Sequence, residues 1–272
     1  MKLSEAARLL SEAGITSARD EARTLFSHFD GIPCHKLIAD DPSTQNPELI
    51  SAIRRRQSRE PLQYILGEVG FYKETYKVTP DCLIPREDTE ILVDFAVKNL
   101  SVGARFADIC TGSGCIAISV LKNTVSTSAL AVDISECALK LAAQNARLNG
   151  VYERIYFESC DVLKSAPSLG EKFDAVLSNP PYVTNKAYLS LEKEIYSEPE
   201  IAFVGGEDGG DFYRAITKNL LPRLSDGGFI AYEIGYDQSE LIRSVAEQNG
   251  MSAEIISDLS GNPRVAVLRK KK

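Results

Sequence analysis

The sequence has little of what several common catalytic sites require. Its two histidines, His28 and His35, lie near the N-terminus, and none of its six cysteines forms a C-x-x-C pair. A zinc site needs a closer cluster of ligands, so we predict no metal site. Catalysis by a Ser-His-Asp or Cys-His group is disfavoured as well, because both histidines lie outside the region with the motifs below. We interpret the cysteines as reduced, mostly buried, small apolar residues.

The sequence also lacks an apolar run of about 18 residues, which excludes a membrane span. Its N-terminus has no apolar signal-peptide core, and we therefore expect a cytoplasmic location. The net charge is −7, whereas a duplex-DNA binder usually needs a basic face. Basic runs occur at 54–56 and 269–272, and we interpret the second as solvated surface. The composition thus disfavours both a membrane and a nucleic acid as partners.

What the sequence does contain is typical of an α/β protein with a smaller companion domain. From Arg105 onward, apolar strand-like runs alternate with helix-like stretches, which predicts a parallel, doubly wound sheet. The last two runs, SAEIISD and RVAVLRK, are separated by a short turn and predict an antiparallel hairpin at the edge. The total is about seven strands.

The region before this sheet predicts two other parts. Residues 1–66 show apolar residues at helical spacing and predict a small helical bundle, with Ser17 capping its second helix and another helix starting at Pro47. Residues 67–82 are rich in aromatic and β-branched types and predict a hairpin that links two domains. Residues 83–272 then form the larger domain.

The first strand of the large domain runs into a glycine-rich stretch, DICTGSG at 108–114. Glycines allow a tight turn and close approach to a ligand, and ligands bind at the carboxyl ends of strands in such sheets. Asp133 ends the second strand, where a carboxylate can accept both hydroxyls of a ribose. These features indicate a nucleoside-containing cofactor, either NAD or S-adenosylmethionine. A tight structural turn is the alternative.

A third carboxylate, Asp161, follows the third strand in the stretch SCDVL. It can reach an adenine amino group, with Val162 packing on the ring. A helix N-cap is an equally good interpretation of this residue.

The fourth strand ends abruptly in Asn179-Pro180-Pro181-Tyr182. Both prolines fix φ and lack an N–H, so this segment predicts a stiff elbow at the sheet edge that carries the glycine loop. Asn179 offers a side-chain carbonyl and Pro180 a backbone carbonyl. Together they can hold both hydrogens of a planar NH₂ group, with Tyr182 packed against its plane.

Such an elbow suits methyl transfer to an amide or an aromatic amine. The nitrogen of these groups is a poor nucleophile, and two acceptors would orient it and favour charge developing on it, without a strong base. Hydride transfer has no evident need of the elbow, so NAD is disfavoured. A rigid surface turn is the alternative interpretation.

The motifs described above resemble those of a known family. The NPPY elbow, glycine loop and Asp133 are similar to those of amino-group methyltransferases that use S-adenosylmethionine. The stretch REPLQYILGEVGFYKETYKVTPDCLIPREDTEILVDFA, at 59–96, closely resembles the linker of the HemK/PrmC family. SARDEARTLF resembles the helical domain of that family, and SEPEIAFVGGEDGGDFYRAI the segment after its NPPY. The resemblance covers nearly the whole chain.

The resemblance implies a Rossmann-like, seven-stranded class I methyltransferase domain, joined by a β-hairpin linker to a small N-terminal helical domain. It implies S-adenosylmethionine as cofactor. The implied reaction methylates the N5 amide of the glutamine in the Gly-Gly-Gln motif of class 1 peptide chain release factors. Because the N-terminal helices carry no catalytic motif, we expect them to dock the release factor. We also expect a monomer that does not bind nucleic acid directly.

The site residues follow from the motifs and the resemblance together. The expected catalytic residues are Asn179, Pro180, Pro181 and Tyr182. The expected cofactor-binding residues are Asp108, Cys110, Thr111, Gly112, Ser113, Gly114, Asp133, Ile134, Asp161, Val162 and Asn179. Phe71, Pro85 and Arg86 are expected to close over cofactor or substrate, with interdomain packing as the alternative.

Three positions depart from the family pattern. Cys110 stands where the family often has glycine, and Val162 where some members have an aromatic residue. Glu87 replaces a proline in the linker stretch IPREDTE. Two other functions remain as alternatives: an amino methyltransferase acting on adenine or guanine of DNA or RNA, and a binding module built on an inactive methyltransferase fold. The intact elbow and Asp133 argue against the latter.

Overall fold

The computed structural model describes residues 1–168 and 172–271. Lys272, the last residue of the basic tail, lies outside the described residues. The chain divides into two compact units. One comprises residues 1–68 with Glu192–Ser197, and the other comprises residues 69–191 with the described residues from 198 onward. No helix among the described residues is long and apolar enough to cross a membrane.

The first unit is helical. Its helices are α1 (Leu3–Glu12), α2 (Ala18–Asp30), α3 (Lys36–Ala39), α4 (Pro47–Gln57) and α5 (Leu62–Leu66). The apolar faces of α1, α2 and α4 form its core, with Leu10, Leu25 and Ile53 fully buried. Asn46 caps α4 by accepting from the Glu48 N–H at 3.0 Å. Ser17 precedes α2, but its side chain makes no capping bond; its hydroxyl donates to Glu21 instead, which corrects the capping prediction.

Arg56 lies on α4 and is 4% exposed, so the basic run at 54–56 is not wholly a solvated surface. Its guanidinium forms ion pairs with Glu21 at 2.5 Å and with Glu194 at 2.9 Å. Glu194 belongs to the segment Glu192–Ser197, so these pairs hold that distant stretch of sequence within the helical unit.

A two-stranded sheet of β1 (Glu68–Phe71) and β2 (Glu74–Lys77) comes next in the chain, and all of it after Glu68 belongs to the second unit. A short 3₁₀ turn at Glu87–Thr89 then leads into α6 (Glu90–Asn99). The alternating part comprises, in chain order, β3 (Arg105–Ile109), α7 (Cys115–Lys122), β4 (Ser128–Asp133), α8 (Glu136–Leu148), β5 (Ile155–Ser159), β6 (Phe173–Ser178), α9 (Asn185–Tyr188), α10 (Asp211–Leu220), β7 (Leu224–Glu233), α11 (Ser239–Gln248), β8 (Met251–Ser257) and β9 (Pro263–Lys270).

The large sheet has seven strands among the described residues, in the order β5-β4-β3-β6-β7-β9-β8. Strands β3 to β7 are parallel, and β9 is antiparallel to both β7 and β8. The chain leaves β3 on one side toward β4 and later returns on the other side as β6. This reversal is the point at which open α/β sheets form a ligand crevice.

The apolar residues of β3, β4 and β6 are buried, and helices pack on both faces of the sheet. A parallel strand covered on both faces needs a nearly continuous apolar run, which is why these strands could be recognised in the sequence. The predicted fold class, with its mixed seven-stranded sheet and N-terminal helical region, is confirmed.

Candidate active site

A cavity of about 650 Å³ opens at the carboxyl ends of β3, β4 and β6, where the strand order reverses. The cavity is lined by the loops that follow these strands and by residues that lie earlier and later in the sequence. The lining includes Cys82, Pro85, Arg86, Thr89, Cys110, Thr111, Gly112, Ser113, Asp133, Ile134, Asp161, Val162, Asn179, Pro181 and Ile201. Most of the predicted cofactor-binding residues are therefore brought together.

The glycine loop after β3 turns by means of positive φ angles. Cys110, Gly112 and Gly114 have φ of 60°, 53° and 82°. Gly114 does not line the cavity; a Cβ at this position would lie 3.1 Å from the Ala142 Cβ on α8, so glycine here permits close packing of the loop and helix. Cys110 adopts the left-handed backbone that glycine would adopt without strain.

Asp108 does not reach the cavity, which corrects its assignment as a cofactor ligand. It is fully buried, and its Oδ2 accepts from the Thr111 hydroxyl at 2.6 Å and from the Ala117 N–H at 3.1 Å. Burial raises the pKa of this carboxyl to about 7. The residue instead ties the glycine loop to the first turn of α7.

Asp133 at the end of β4 lines the cavity and is held by backbone groups. Its Oδ2 accepts from the Gly112 N–H and its Oδ1 from the Ser135 N–H, both at 2.9 Å. Burial raises the pKa of this carboxyl, while the bond from Ser135 opposes that change. Each carboxylate oxygen keeps a further lone pair for a ligand.

Asp161 and Val162 line the cavity beyond Asp133. Asp161 accepts from the Leu163 N–H at 3.1 Å and pairs with Lys164 at 2.8 Å, and the hydrogen bond from Lys164 lowers the pKa of the Asp161 carboxyl. Asp161 begins a turn, where sequence reasoning had left a helix N-cap open. Val162 is 4% exposed and presents an apolar surface.

The NPPY elbow contributes two of its four residues to the cavity. Asn179 and Pro181 line it, whereas Pro180 is buried and Tyr182 is half-buried, and neither of these lines it. The Tyr182 hydroxyl donates to Glu233 Oε1 at 3.3 Å, so its polar end is bound to the end of β7. The Asn179 side chain donates from Nδ2 to the Thr89 hydroxyl at 3.2 Å.

A glycine-rich loop at 205–210 packs directly against the elbow. A Cβ on Gly205 would lie 2.5 Å from the Pro181 carbonyl oxygen and 2.8 Å from the Tyr182 Cα. The loop can therefore approach the elbow only because Gly205 has no side chain. Gln238 adds a direct bond, with its Nε2 donating to the Tyr182 carbonyl at 2.9 Å.

The residues expected to close over the site lie in different places. Pro85 and Arg86 line the cavity. The Arg86 guanidinium pairs with Glu198, whose other carboxylate oxygen accepts from the Ile84 N–H at 2.9 Å. Phe71 does not line the cavity: it lies in the core, 3% exposed, with its ring 5.9 Å from that of Tyr76. The position of Phe71 corrects the expectation that it covers a ligand.

Sequence reasoning missed the residues that support the elbow from a distance, namely Thr89, Gly205, Glu233 and Gln238. Glu233 left one usable signal, because it is a lone acidic residue at the end of the apolar run FIAYE. A charge that ends a buried strand needs a hydrogen-bonded partner, and here the Thr89 hydroxyl donates to it at 2.5 Å.

Comparison with known proteins agrees with this geometry. Residues 87–203 match the family model described as "Methyltransferase small domain". The fold is similar to that of a ribosomal protein L11 methylase from Lactobacillus delbrueckii subsp. bulgaricus, with a TM-score of 0.52 and 21% identity over 69% of this chain and 81% of that chain. The chain thus has the fold of a class I methyltransferase.

Two further findings give the family. Residues 2–67 match the model described as "PrmC N-terminal domain". The chain is 38% identical to the release factor glutamine methyltransferase of Thermodesulfovibrio yellowstonii, over 89% of this chain and 91% of that protein. It is 36% identical to the protein of the same description from Moorella thermoacetica, over 96% of this chain and 95% of that one. The chain belongs to the release factor glutamine methyltransferase family.

Proposed function

We propose that this enzyme transfers the methyl group of S-adenosylmethionine to the side-chain amide nitrogen of the Gly-Gly-Gln glutamine in peptide chain release factors. The observation that carries the proposal is the position of Asn179, which lines the same cavity as Asp133 and the glycine loop. Family membership then selects a release factor as the protein that presents the amide.

The residues of the cavity fit S-adenosylmethionine. Asp133 would hold the ribose hydroxyls with its remaining lone pairs. Val162 would pack against the adenine, and Asp161 would accept from its amino group. Apart from Gly112 itself and its two chain neighbours, the described heavy atom nearest to a Cβ placed on Gly112 would be the Cys82 Cβ at 3.9 Å, so the loop leaves room for a ligand against its backbone. When bound, this cofactor supplies an electrophilic methyl group on a sulfonium.

The elbow supplies orientation to the incoming amide. An amide nitrogen is a poor nucleophile because its lone pair is delocalised. It must therefore be held in line with the methyl group. Asn179 Oδ1 would accept one amide hydrogen, and this bond would favour the positive charge that develops on nitrogen. Pro180 does not line the cavity, so we assign its carbonyl, which the sequence predicted as the second acceptor, no contact with the substrate. The nitrogen would release its proton to solvent. Pro181 keeps the segment stiff, since its ring fixes φ.

The other parts of the proposal concern partners. We assign docking of the release factor to the helical region 1–66, with 67–82 as a linker and 83–272 as the catalytic domain. The match of residues 2–67 to a family model supports the extent of this helical region. We further propose that the enzyme acts as a monomer in the cytoplasm, where translation occurs, and does not bind nucleic acid directly.

Methyl-labelled S-adenosylmethionine tests the reaction. The enzyme is incubated separately with a release factor, with the same factor carrying alanine in place of the Gly-Gly-Gln glutamine, with DNA and with RNA. We expect label only in the unaltered factor. Label in DNA or RNA would establish the nucleic-acid alternative, and label in the alanine factor would place the methyl group on another residue.

Asn179→Ala tests the role of the elbow. We expect this variant to bind S-adenosylmethionine with the wild-type Kd, measured by calorimetry, and to lose at least about 100-fold in kcat. Asp133→Ala is the opposite case and should weaken cofactor binding at least about tenfold, because the ribose hydroxyls lose their acceptor. A fully active Asn179→Ala enzyme would disprove the mechanism.

A further inference from the structure

Asn179 can serve the reaction only if its amide faces the right way. The amide group is planar, with a donor NH₂ at one corner and an acceptor oxygen at the other. Rotation by about 180° about the last side-chain bond exchanges the two with little change in shape. If Asn179 turned its NH₂ toward the substrate, that donor would face the NH₂ of the substrate amide, which is also a donor, and no hydrogen bond would form.

Three side chains form a chain of hydrogen bonds that selects one orientation. Asn179 Nδ2 donates to Thr89 Oγ1 at 3.2 Å, and Thr89 Oγ1 donates to Glu233 Oε2 at 2.5 Å. A hydroxyl has a single hydrogen, and an ionised carboxylate only accepts. Because the hydrogen of Thr89 is used on Glu233, Thr89 presents only lone pairs to Asn179 and must receive the NH₂ end.

We infer that Thr89 and Glu233 are positioning residues that fix the Asn179 amide with its oxygen available to the substrate. The inference rests on the function proposed above and deepens it. Neither side chain is proposed to touch the methyl group: Glu233 acts through Thr89, and Thr89 through Asn179. Thr89 lines the cavity beside Asn179, whereas Glu233 is 3% exposed behind it.

The surroundings of Glu233 keep its carboxylate in one place. Its Oε1 accepts from the Tyr182 hydroxyl at 3.3 Å, and its backbone carbonyl accepts from the Tyr213 hydroxyl at 3.0 Å. A carboxylate held at both oxygens cannot rotate away from Thr89 without breaking the bond to Tyr182. The end of β7 thus fixes the outer end of the chain of hydrogen bonds.

The ionisation of Glu233 makes this arrangement sensitive to pH. The groups facing it are the Thr89 and Tyr182 hydroxyls, the Asp88 carboxylate and the Arg264 guanidinium, which pairs with Asp88 at 3.2 Å. Burial raises the pKa of Glu233 to about 7, against the hydrogen bonds from Thr89 and Tyr182. A protonated Glu233 can donate to Thr89, whose own hydrogen is then free to bond Asn179 Oδ1. The amide can turn, and the reaction should slow.

Thr89→Val and Thr89→Ser provide a matched pair. Valine keeps the shape of threonine and removes the hydroxyl, whereas serine keeps the hydroxyl. With a release factor as substrate, we expect Thr89→Val to lose about 10- to 100-fold in kcat, which is the cost of a misoriented group. Thr89→Ser should stay within about threefold of wild type, and both should bind S-adenosylmethionine with the wild-type Kd by calorimetry.

The pH profile separates positioning from mere structural support. The wild-type kcat should rise as pH passes through about 7, where Glu233 ionises. Thr89→Val and Glu233→Gln should each lose this rise. The first variant lacks the hydroxyl that connects Glu233 to Asn179, and the second lacks the ionisable carboxyl. A Thr89→Val enzyme with wild-type kcat and an unchanged rise would overturn the inference. If Thr89→Val fails to bind the cofactor, the pH profile of Glu233→Gln is the test: an unchanged rise in kcat would overturn the inference. A wild-type enzyme that labels no release factor overturns the proposed function instead.

Discussion

Gly205 offers a direct test of how the glycine loop supports the NPPY elbow. A Cβ at this position would lie 2.5 Å from the Pro181 carbonyl oxygen and 2.8 Å from the Tyr182 Cα, where real Cβ atoms stay beyond 3.0 Å. The elbow or the loop must therefore move by roughly half an ångström. A shift of this order at a positioning residue costs about 10-fold or more in rate, and overpacking costs about 2 kcal/mol in stability. We expect both losses in Gly205→Ala.

Gly70→Ala is the matched control. Like Gly205, Gly70 does not have a positive φ, and no described heavy atom beyond Gly70 itself and its two chain neighbours lies within 4 Å of the point that its Cβ would occupy. Alanine in strand β1 should leave kcat unchanged and the free energy of unfolding within about 1 kcal/mol of wild type. Urea denaturation and initial rates with a release factor measure the two quantities. Equal stability and equal kcat in the two variants would refute the claim that Gly205 sets the position of the elbow.

Two further predictions concern buried charges. Arg56→Ala should lower the free energy of unfolding by about 3 kcal/mol, because Glu21 and Glu194 lose a buried partner. Arg55→Ala, which breaks a more exposed pair, should cost less than about 1 kcal/mol, and equal losses in urea denaturation would contradict this ranking. For Glu233, a pKa raised from 4.5 to about 7 means that stabilisation by the protonated form is complete below about pH 4.5 and is lost as pH rises through about 7. The free energy of unfolding of Glu233→Gln, measured relative to that of wild type, should therefore rise by about 3 kcal/mol between pH 4.5 and 8. A difference between the two proteins that stays constant with pH would disprove the assignment of this pKa to Glu233.

The sequence predicted the strands of the large sheet because their physical requirement is local. A strand buried on both faces must be apolar along its length, as in β4 and β6, and the turns that follow must supply glycine or proline. The same reasoning located the cavity, since parallel strands place their carboxyl ends at one edge. The short helices α3 and α5 were missed, because four or five residues are too few to show a helical period.

Other features depend on partners far apart in sequence and left no local signal. Strand β3 is covered on both faces, so the Asp108 side chain is buried whichever face it is on, although its position next to the glycine loop suggested a ligand. The support of Asn179 by Thr89 depends on a separation of 90 residues. The ion pairs that bring Glu194 into the helical unit are of the same kind. Pairings of this sort are decided by the packed fold, and periodicity does not encode them.

The order in which the chain is synthesised gives the hydrogen-bonded chain at Asn179 a further meaning. Thr89 and Asn179 leave the ribosome well before Glu233, which is 144 residues beyond Thr89. Until β7 joins the sheet, the Thr89 hydroxyl has no carboxylate to receive its hydrogen, and the Asn179 amide has no preferred face. A growing or truncated chain that already contains the NPPY elbow thus lacks a selective acceptor. Competence for the reaction therefore requires β7, which carries Glu233, to be paired with β6.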